Sequence, residues 1–217
     1  MENKGLIGLT IFIVLGVASF FVWDTFFDGT IEVEDDGSIT VEEDKTLTYA
    51  SSTLGFSVKY PEGYTVDEMY VNQFTDKKVI HGVKFLVPGK FAIGTNLSID
   101  TGIAVESLPR AKSCTGDIYL LADVSSYTMR ERGIEYLIAT SSGAAAGNLY
   151  EEIVYALATS SPCTAFRYFI HSGNIGNYEP GAVRAFDRAK LLSDFDTIRW
   201  SLIFGREEST STNAIPQ

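Results

Sequence analysis

The stretch "SSPCTAFRYFIHSG", residues 160–173, carries Cys163 and, eight residues further on, His171. A thiol and an imidazole make a nucleophile and its base when they approach to hydrogen-bond distance. The stretch alternates as a strand does. An even offset of eight then puts both side chains on one face, roughly 26 Å apart at about 3.3 Å per residue. That separation excludes the pair as a dyad. The other cysteine is Cys114, and in an oxidising compartment two cysteines permit one bridge. A Cys114–Cys163 disulfide is therefore expected, with two buried free thiols as the alternative if the domain faces the cytoplasm. His81 and His171 are read as structural or surface histidines.

Other residue types with chemical potential fare no better as a site. Asp100-Thr101-Gly102 resembles the aspartic-peptidase signature, but that chemistry needs two aspartates sharing a proton, and the chain has one such motif. Ile103 stands where that family prefers a small residue. "IFGR", Ile203 to Arg206, echoes a second block of the retroviral-type enzymes but is followed by a polar tail instead of their helix. Glu151 and Glu152 are sequence neighbours, so on a strand they point to opposite faces. Asn96-Leu97-Ser98 is formally a glycosylation sequon. No G-x-S-x-G, phosphate-cradling G-x-x-x-x-G-K or H-E-x-x-H pattern occurs. No catalytic residue, metal ligand or cofactor is assigned. "SGNIGNYEPG", residues 172–181, is rich in amides and turn formers. Loops of that size carry binding, which makes Asn174, Asn177 and Tyr178 the candidate recognition residues. A Gly/Asn turn leading the chain onward is the alternative.

The elements that must position these groups begin with "GLIGLTIFIVLGVASFFVW", Gly5 to Trp23, which has no charged side chain. Nineteen residues at 1.5 Å rise span about 28 Å, close to the hydrocarbon thickness of a bilayer. A cleaved signal peptide is the alternative, with small residues at Gly16 and Ala18, but Phe20 to Trp23 prolong the apolar run. Lys4 precedes the span and the next basic residue is Lys45. The positive-inside rule thus expects a single-pass anchor with its N-terminus in the cytoplasm and the rest outside. The expected organisation is a cytoplasmic stub (1–4), a transmembrane anchor (5–23), an acidic connector (24–48), one domain (49–204) and a disordered tail (205–217).

Charge follows the same division. Residues 1–44 hold one lysine and ten acids, so −9 of the net −11 lies there and −2 remains for the rest. No basic run of the kind nucleic-acid binding needs is present. The connector's "TIEVEDDGSITVEE" alternates around Asp36-Gly37, which reads as a two-residue hairpin turn. Its acids lack the D-x-D-x-D-G spacing of a calcium loop.

Beyond Tyr49 the pattern is of strands. "GFSVKY" alternates up to Pro61-Glu62-Gly63 and "VIHGVKFLV" runs to Pro88-Gly89, which suits a type II turn. Leu97, Ile99, Thr101, Ile103 and Val105 share one face at period two. Residues 115–124 suggest a short helix. "IEYLIAT", "GNLYEEIVYALAT" and "TAFRYFIHS" resume the strands. In "FDRAKLLSDFDTIRWSL", Leu191, Leu192, Phe195, Ile198 and Leu202 line one helical face, with Asp187, Lys190 and Asp194 opposite. Short turns between strands imply a mostly antiparallel sheet, which a C-terminal amphipathic helix must cover. The class is α+β.

"LGFSVKYPEGY", Leu54 to Tyr64, resembles the opening strand and turn of PsbP-like domains, with Tyr64 where tryptophan is common. "LLSDFDTIRWSLIF", Leu191 to Phe204, resembles their closing helix and apolar end. The resemblance covers about residues 49–204. It implies an antiparallel sheet with helices on its faces and a non-enzymatic extracytoplasmic role, as in anchored bacterial proteins that bind a protein or small molecule. It carries over no binding residue. A structural subunit is the rival. "MENKG" before "LIGLTIFIVLG" resembles a type IV pilin leader, but Thr10 stands where the pilin glutamate belongs and Gly29 interrupts the helix.

Overall fold

The computed structural model describes residues 31–33, 39–41, 45–75 and 78–205. The apolar run at 5–23 and the tail from 206 lie outside the described residues, as do the expectations placed on them. Among the described residues no helix is long and apolar enough to cross a membrane. The chain divides into two compact units, Met1–Glu43 and Asp44–Gln217.

The first unit contains β1 (Ile31–Val33) and β2 (Ile39–Val41), paired antiparallel. Val33 faces Ile39. The turn expected at Asp36-Gly37 lies outside the described residues.

The second unit starts with β3 (Thr46–Ser51), ahead of the boundary read at Tyr49, and β4 (Phe56–Pro61). Then come β5 (Thr65–Asp67), β6 (Val71–Thr75), β7 (Lys78–Leu86), α1 (Gly89–Ala92) and β8 (Gly102–Leu108). The chain continues through β9 (Tyr127–Glu131), β10 (Ile134–Ala145), β11 (Asn148–Leu157) and β12 (Cys163–Gly173). It closes with α2 (Arg188–Trp200) and β13 (Ile203–Phe204). Eight strands form one sheet in the order β5-β7-β8-β12-β11-β10-β9, with β6 also on the free edge of β7. A three-stranded sheet, β13-β4-β3, accompanies it. The strand pairs are antiparallel, so the class is α+β as the alternation implies.

β9, β10 and β11 are joined by two-residue turns, Arg132-Gly133 and Ala146-Gly147, with positive φ at all four residues. A type I′ turn demands that backbone, and glycine at the second position relieves half of its strain.

Alternation sends Phe166, Tyr168 and Ile170 of β12 to one face, where they pack with Leu191, Phe195 and Ile198 of α2. Phe56 and Val58 of β4 join this core, and Tyr49 and Tyr60 pack their rings on Phe85. Arg199 fastens the helix to the sheet. Its guanidinium is buried between the rings of Tyr155 and Tyr136, 4.2 and 4.9 Å from their centroids. It donates to Tyr168 Oη at 2.7 Å and reaches Asp196 and Glu131 at 2.8 and 2.7 Å. Burial opposes ionisation of Glu131, but hydrogen bonds from Trp200 and Arg199 outweigh it and hold the carboxyl below its ordinary range.

Three further expectations change. Gly89 opens the short helix α1, with Phe91 N–H donating to the Pro88 carbonyl. Its φ is not positive, so there is no type II turn with Gly89 in its third position. Ile99 is 72 % exposed and lies in the turn closed by Thr101 N–H on Ser98 O. Leu97, Thr101, Ile103 and Val105 are buried as expected, and Ile99 leaves the face. Between 115 and 124 only a 3-10 turn forms, Asp117–Tyr119. On α2, Leu191, Phe195 and Ile198 are buried as expected, while Leu202 lies beyond the helix end.

Candidate functional site

The sheet face opposite α2 carries the odd-numbered side chains of β12: Cys163, Ala165, Arg167, Phe169 and His171. At the centre Arg167 is buried against Glu106 of β8, which has no exposed surface. Arg167 Nε lies 2.7 Å from Glu106 Oε1 and Nη2 lies 3.1 Å from Oε2, a two-pronged pair. Arg167 also donates to Glu152 of β11 and, at 2.5 Å, to the carbonyl of Tyr119. Tyr70 Oη donates to Glu106 Oε1 at 2.8 Å. Burial disfavours the charge on Arg167, yet Glu106 overcomes it and holds the guanidinium pKa above its usual value. Tyr70 is pushed up by burial and then by the Glu106 charge. These pairings join β8, β11 and β12 to the loop that carries Tyr119, so the cluster bolts sheet to loop. Sequence reading did not single out Arg167 or Glu106. The available signal was an arginine at an inward position of an apolar strand.

Towards the C-terminal end of β12 the face has no covering loop, and its side chains cover each other. Lys84 Nζ sits 4.6 Å from the Phe169 ring centroid and donates to Asp100 O at 2.6 Å. Burial lowers the pKa of its amine. His171 stacks on Tyr150 with centroids 4.5 Å apart, and its Nδ1 lies 2.7 Å from Asp100 Oδ1. A Cβ on Gly173 would fall 2.2 Å from Tyr178 Oη. The Tyr178 ring thus continues the row on this face, in space that only glycine leaves.

The sequence-derived recognition residues sit here. Asn174 caps the 3-10 turn Ile175–Asn177 by accepting from Gly176 N–H, and Asn177 Nδ2 donates to Gly147 O at 3.1 Å. Asn174 and Asn177 each use a polar atom to hold the turn against the β10–β11 hairpin. The Asp100 carboxylate of the Asp-Thr-Gly motif faces an imidazole. Thr101 Oγ1 bonds the backbone of His171. Glu151 and Glu152 part as expected, to Arg188 and Arg167 on opposite faces. Asn96 of the sequon is buried and committed at both ends, to Gly173 O and Phe186 N–H. Among the described residues no three His, Cys, Asp or Glu side chains converge to hold a metal.

At the N-terminal end of β12 the same face is roofed by residues 109–126. Cys114 and Cys163 form the expected disulfide. Tyr119, fully buried, donates to the Cys163 carbonyl at 2.8 Å. Ile80, Ala139, Val154 and Ala165 complete a second small core under this roof. Gly116 makes the closest approach: a Cβ there would lie 2.5 Å from Ala139 N. Disulfide, glycine and the Arg167–Tyr119 bond together fix the roof.

The fixed roof leaves a groove beside it of about 820 Å³. Val79 of β7, Leu108 of β8, Ala111 and Ile118 supply an apolar floor. Arg110 and Lys112 stand exposed at its rim, with the exposed His81 across from them. Among the described residues no carboxylate lines it, and neither Arg110 nor Lys112 has an ion-pair partner. A volume of this size with an apolar lining and a few polar groups is the ordinary form of a ligand site. Sequence reading missed it, because the groove forms only when Val79 and His81 of β7 meet the stretch from Leu108 to Ile118.

No protein-family model matches the chain. No curated protein matches it either. Among solved structures, a Bacteroides thetaiotaomicron protein aligns over 74 % of this chain and 48 % of its own length, at 10 % identity and a TM-score of 0.41. This chain thus spans about half of that protein. The cyanobacterial PsbP (CyanoP) of Synechocystis aligns over 76 % of this chain and 95 % of its own, at 13 % identity and a TM-score of 0.31. Both are weak resemblances of fold.

Proposed function

We propose that this chain is a single-pass, membrane-anchored binding module whose domain lies outside the cytoplasm, that it has no catalytic activity, and that it takes its ligand in the groove beside the disulfide-held roof. The observation that carries this reading is the groove itself: apolar, pre-formed, and rimmed by Arg110 and Lys112, which have no ion-pair partner among the described residues. The disulfide supports the compartment, since such bonds persist where thiols are not kept reduced. The apolar run from Gly5 to Trp23 supports the anchor. The titratable groups elsewhere on the sheet face support a non-catalytic role, being spent on one another. The groove supports binding better than the 174–178 loop, where the amides already hold a turn.

The compartment is tested with an epitope appended after Gln217 and proteinase K added to intact spheroplasts. The expected result is loss of the epitope without lysis. Protection until the membrane is permeabilised would place the domain in the cytoplasm and end the proposal.

A further inference from the structure

The groove's chemistry also selects among ligands, an inference that rests on the binding role just proposed. Six of the domain's cations, Lys45, Arg130, Arg167, Arg188, Lys190 and Arg199, have carboxylate partners within the domain. Arg110 and Lys112 have none, although they lie close together on a loop anchored at Cys114. A smaller groove near the start of α2 also holds two cations, Lys90 and Arg184, but there the Asp187 carboxylate shares the lining. Among the described residues the roof groove combines an apolar floor with positive charge and no acid in its lining, unlike the grooves lined by Glu68, Glu151 and Asp187.

The groove is open along the side where Arg110, Lys112 and Ser113 are exposed. Small-molecule sites enclose most of their ligand's surface. An open groove instead suits a chain that lies across it, inserting apolar side chains into the floor and leaving its backbone wet. Charge complementarity then sets the remaining side chains as carboxylates, which steer the encounter and reject basic or neutral competitors.

We infer that the groove binds an acidic peptide segment with interspersed apolar residues, presented by a partner protein. Val79, Leu108, Ala111 and Ile118 receive its apolar side chains, and Arg110 and Lys112 receive its carboxylates. The contact area of one groove is small, so the complex is transient and salt-sensitive.

The test uses the full chain in nanodiscs of uncharged phosphatidylcholine and three fluorescein-labelled peptides, alternating Leu-Glu, Leu-Gln and Leu-Lys, read by anisotropy against empty discs. The expected result is saturable binding of the Leu-Glu peptide, weakened about tenfold by R110Q/K112Q and by raised salt. The R110E/K112E variant is expected to lose that peptide and accept Leu-Lys. This exchange of preference also shows that the variant is folded. Equal binding of Leu-Gln and Leu-Glu, unmoved by either variant, would overturn the acidic ligand while leaving a binding groove. Failure of all three peptides to bind would overturn the peptide ligand and remove the groove's support for the binding role.

Discussion

Replacing Glu106 with alanine is expected to destabilise the domain by about 3–5 kcal/mol, the range for removing one member of a buried ion pair. The reason is what remains. Arg167 stays buried without the carboxylate that met it at two points, while Glu152, which answers part of its charge, is partly exposed. Tyr70 Oη and Asn72 Nδ2 lose their acceptor at the same time. For a domain of this size the midpoint of thermal unfolding, followed by circular dichroism on the full chain, should fall by about 10 °C or more. The paired exchange E106L/R167M removes both charges and is expected to recover most of the loss, because an apolar pair carries no desolvation penalty. If E106A shifts the midpoint by only a degree or two, the cluster is solvated and does not bolt the roof to the sheet.

Loss of the disulfide is the second large effect. Cys114 and Cys163 are 49 residues apart, and closing a loop of that length stabilises by about 4 kcal/mol in the chain-entropy model. C114A/C163A should therefore lower the midpoint by roughly 8–16 °C. The effect should be local before it is global. Amide hydrogen exchange should quicken first at residues 109–126, whose other fastenings are the Tyr119 and Gly116 contacts. A midpoint unchanged by the double substitution would show that those contacts hold the roof unaided.

The two effects come from features of unequal visibility in the sequence. The bridge followed from there being two cysteines and from the expected compartment. β7, β8, β10, β11 and β12 of the large sheet followed from period-two alternation, whereas the shorter β5, β6 and β9 were not read, and the buried face of α2 followed from Leu191, Phe195 and Ile198. Alternation is a local property, which is why it survives into the fold. Glu106 and Arg167 are 61 residues apart, and nothing within either strand says that the other will lie beside it. The groove has the same origin, since its floor and rim meet only when β7, β8 and the roof are assembled. Local signals also failed where two backbone solutions compete. Pro88-Gly89 fits a type II turn and a helix start equally, and the chain takes the helix. Ile99 continued an apolar alternation but stands in a turn, 72 % exposed. Arg199 carried no signal within its own helix, yet its guanidinium is buried among aromatic rings that come from β10, β11 and β12.

The most direct test of the central claim, an anchored domain outside the cytoplasm, is the intact mass of the chain purified from its own membranes and alkylated without prior reduction. The expected mass retains residues 5–23, carries no alkyl group and is lower by the two hydrogens lost in forming the Cys114–Cys163 bridge, apart from ordinary removal of the initiator methionine. Two alkylated thiols would contradict the compartment. A mass lacking the apolar run would show a cleaved leader in place of an anchor, and loss of only the first five residues would favour a pilin-like subunit.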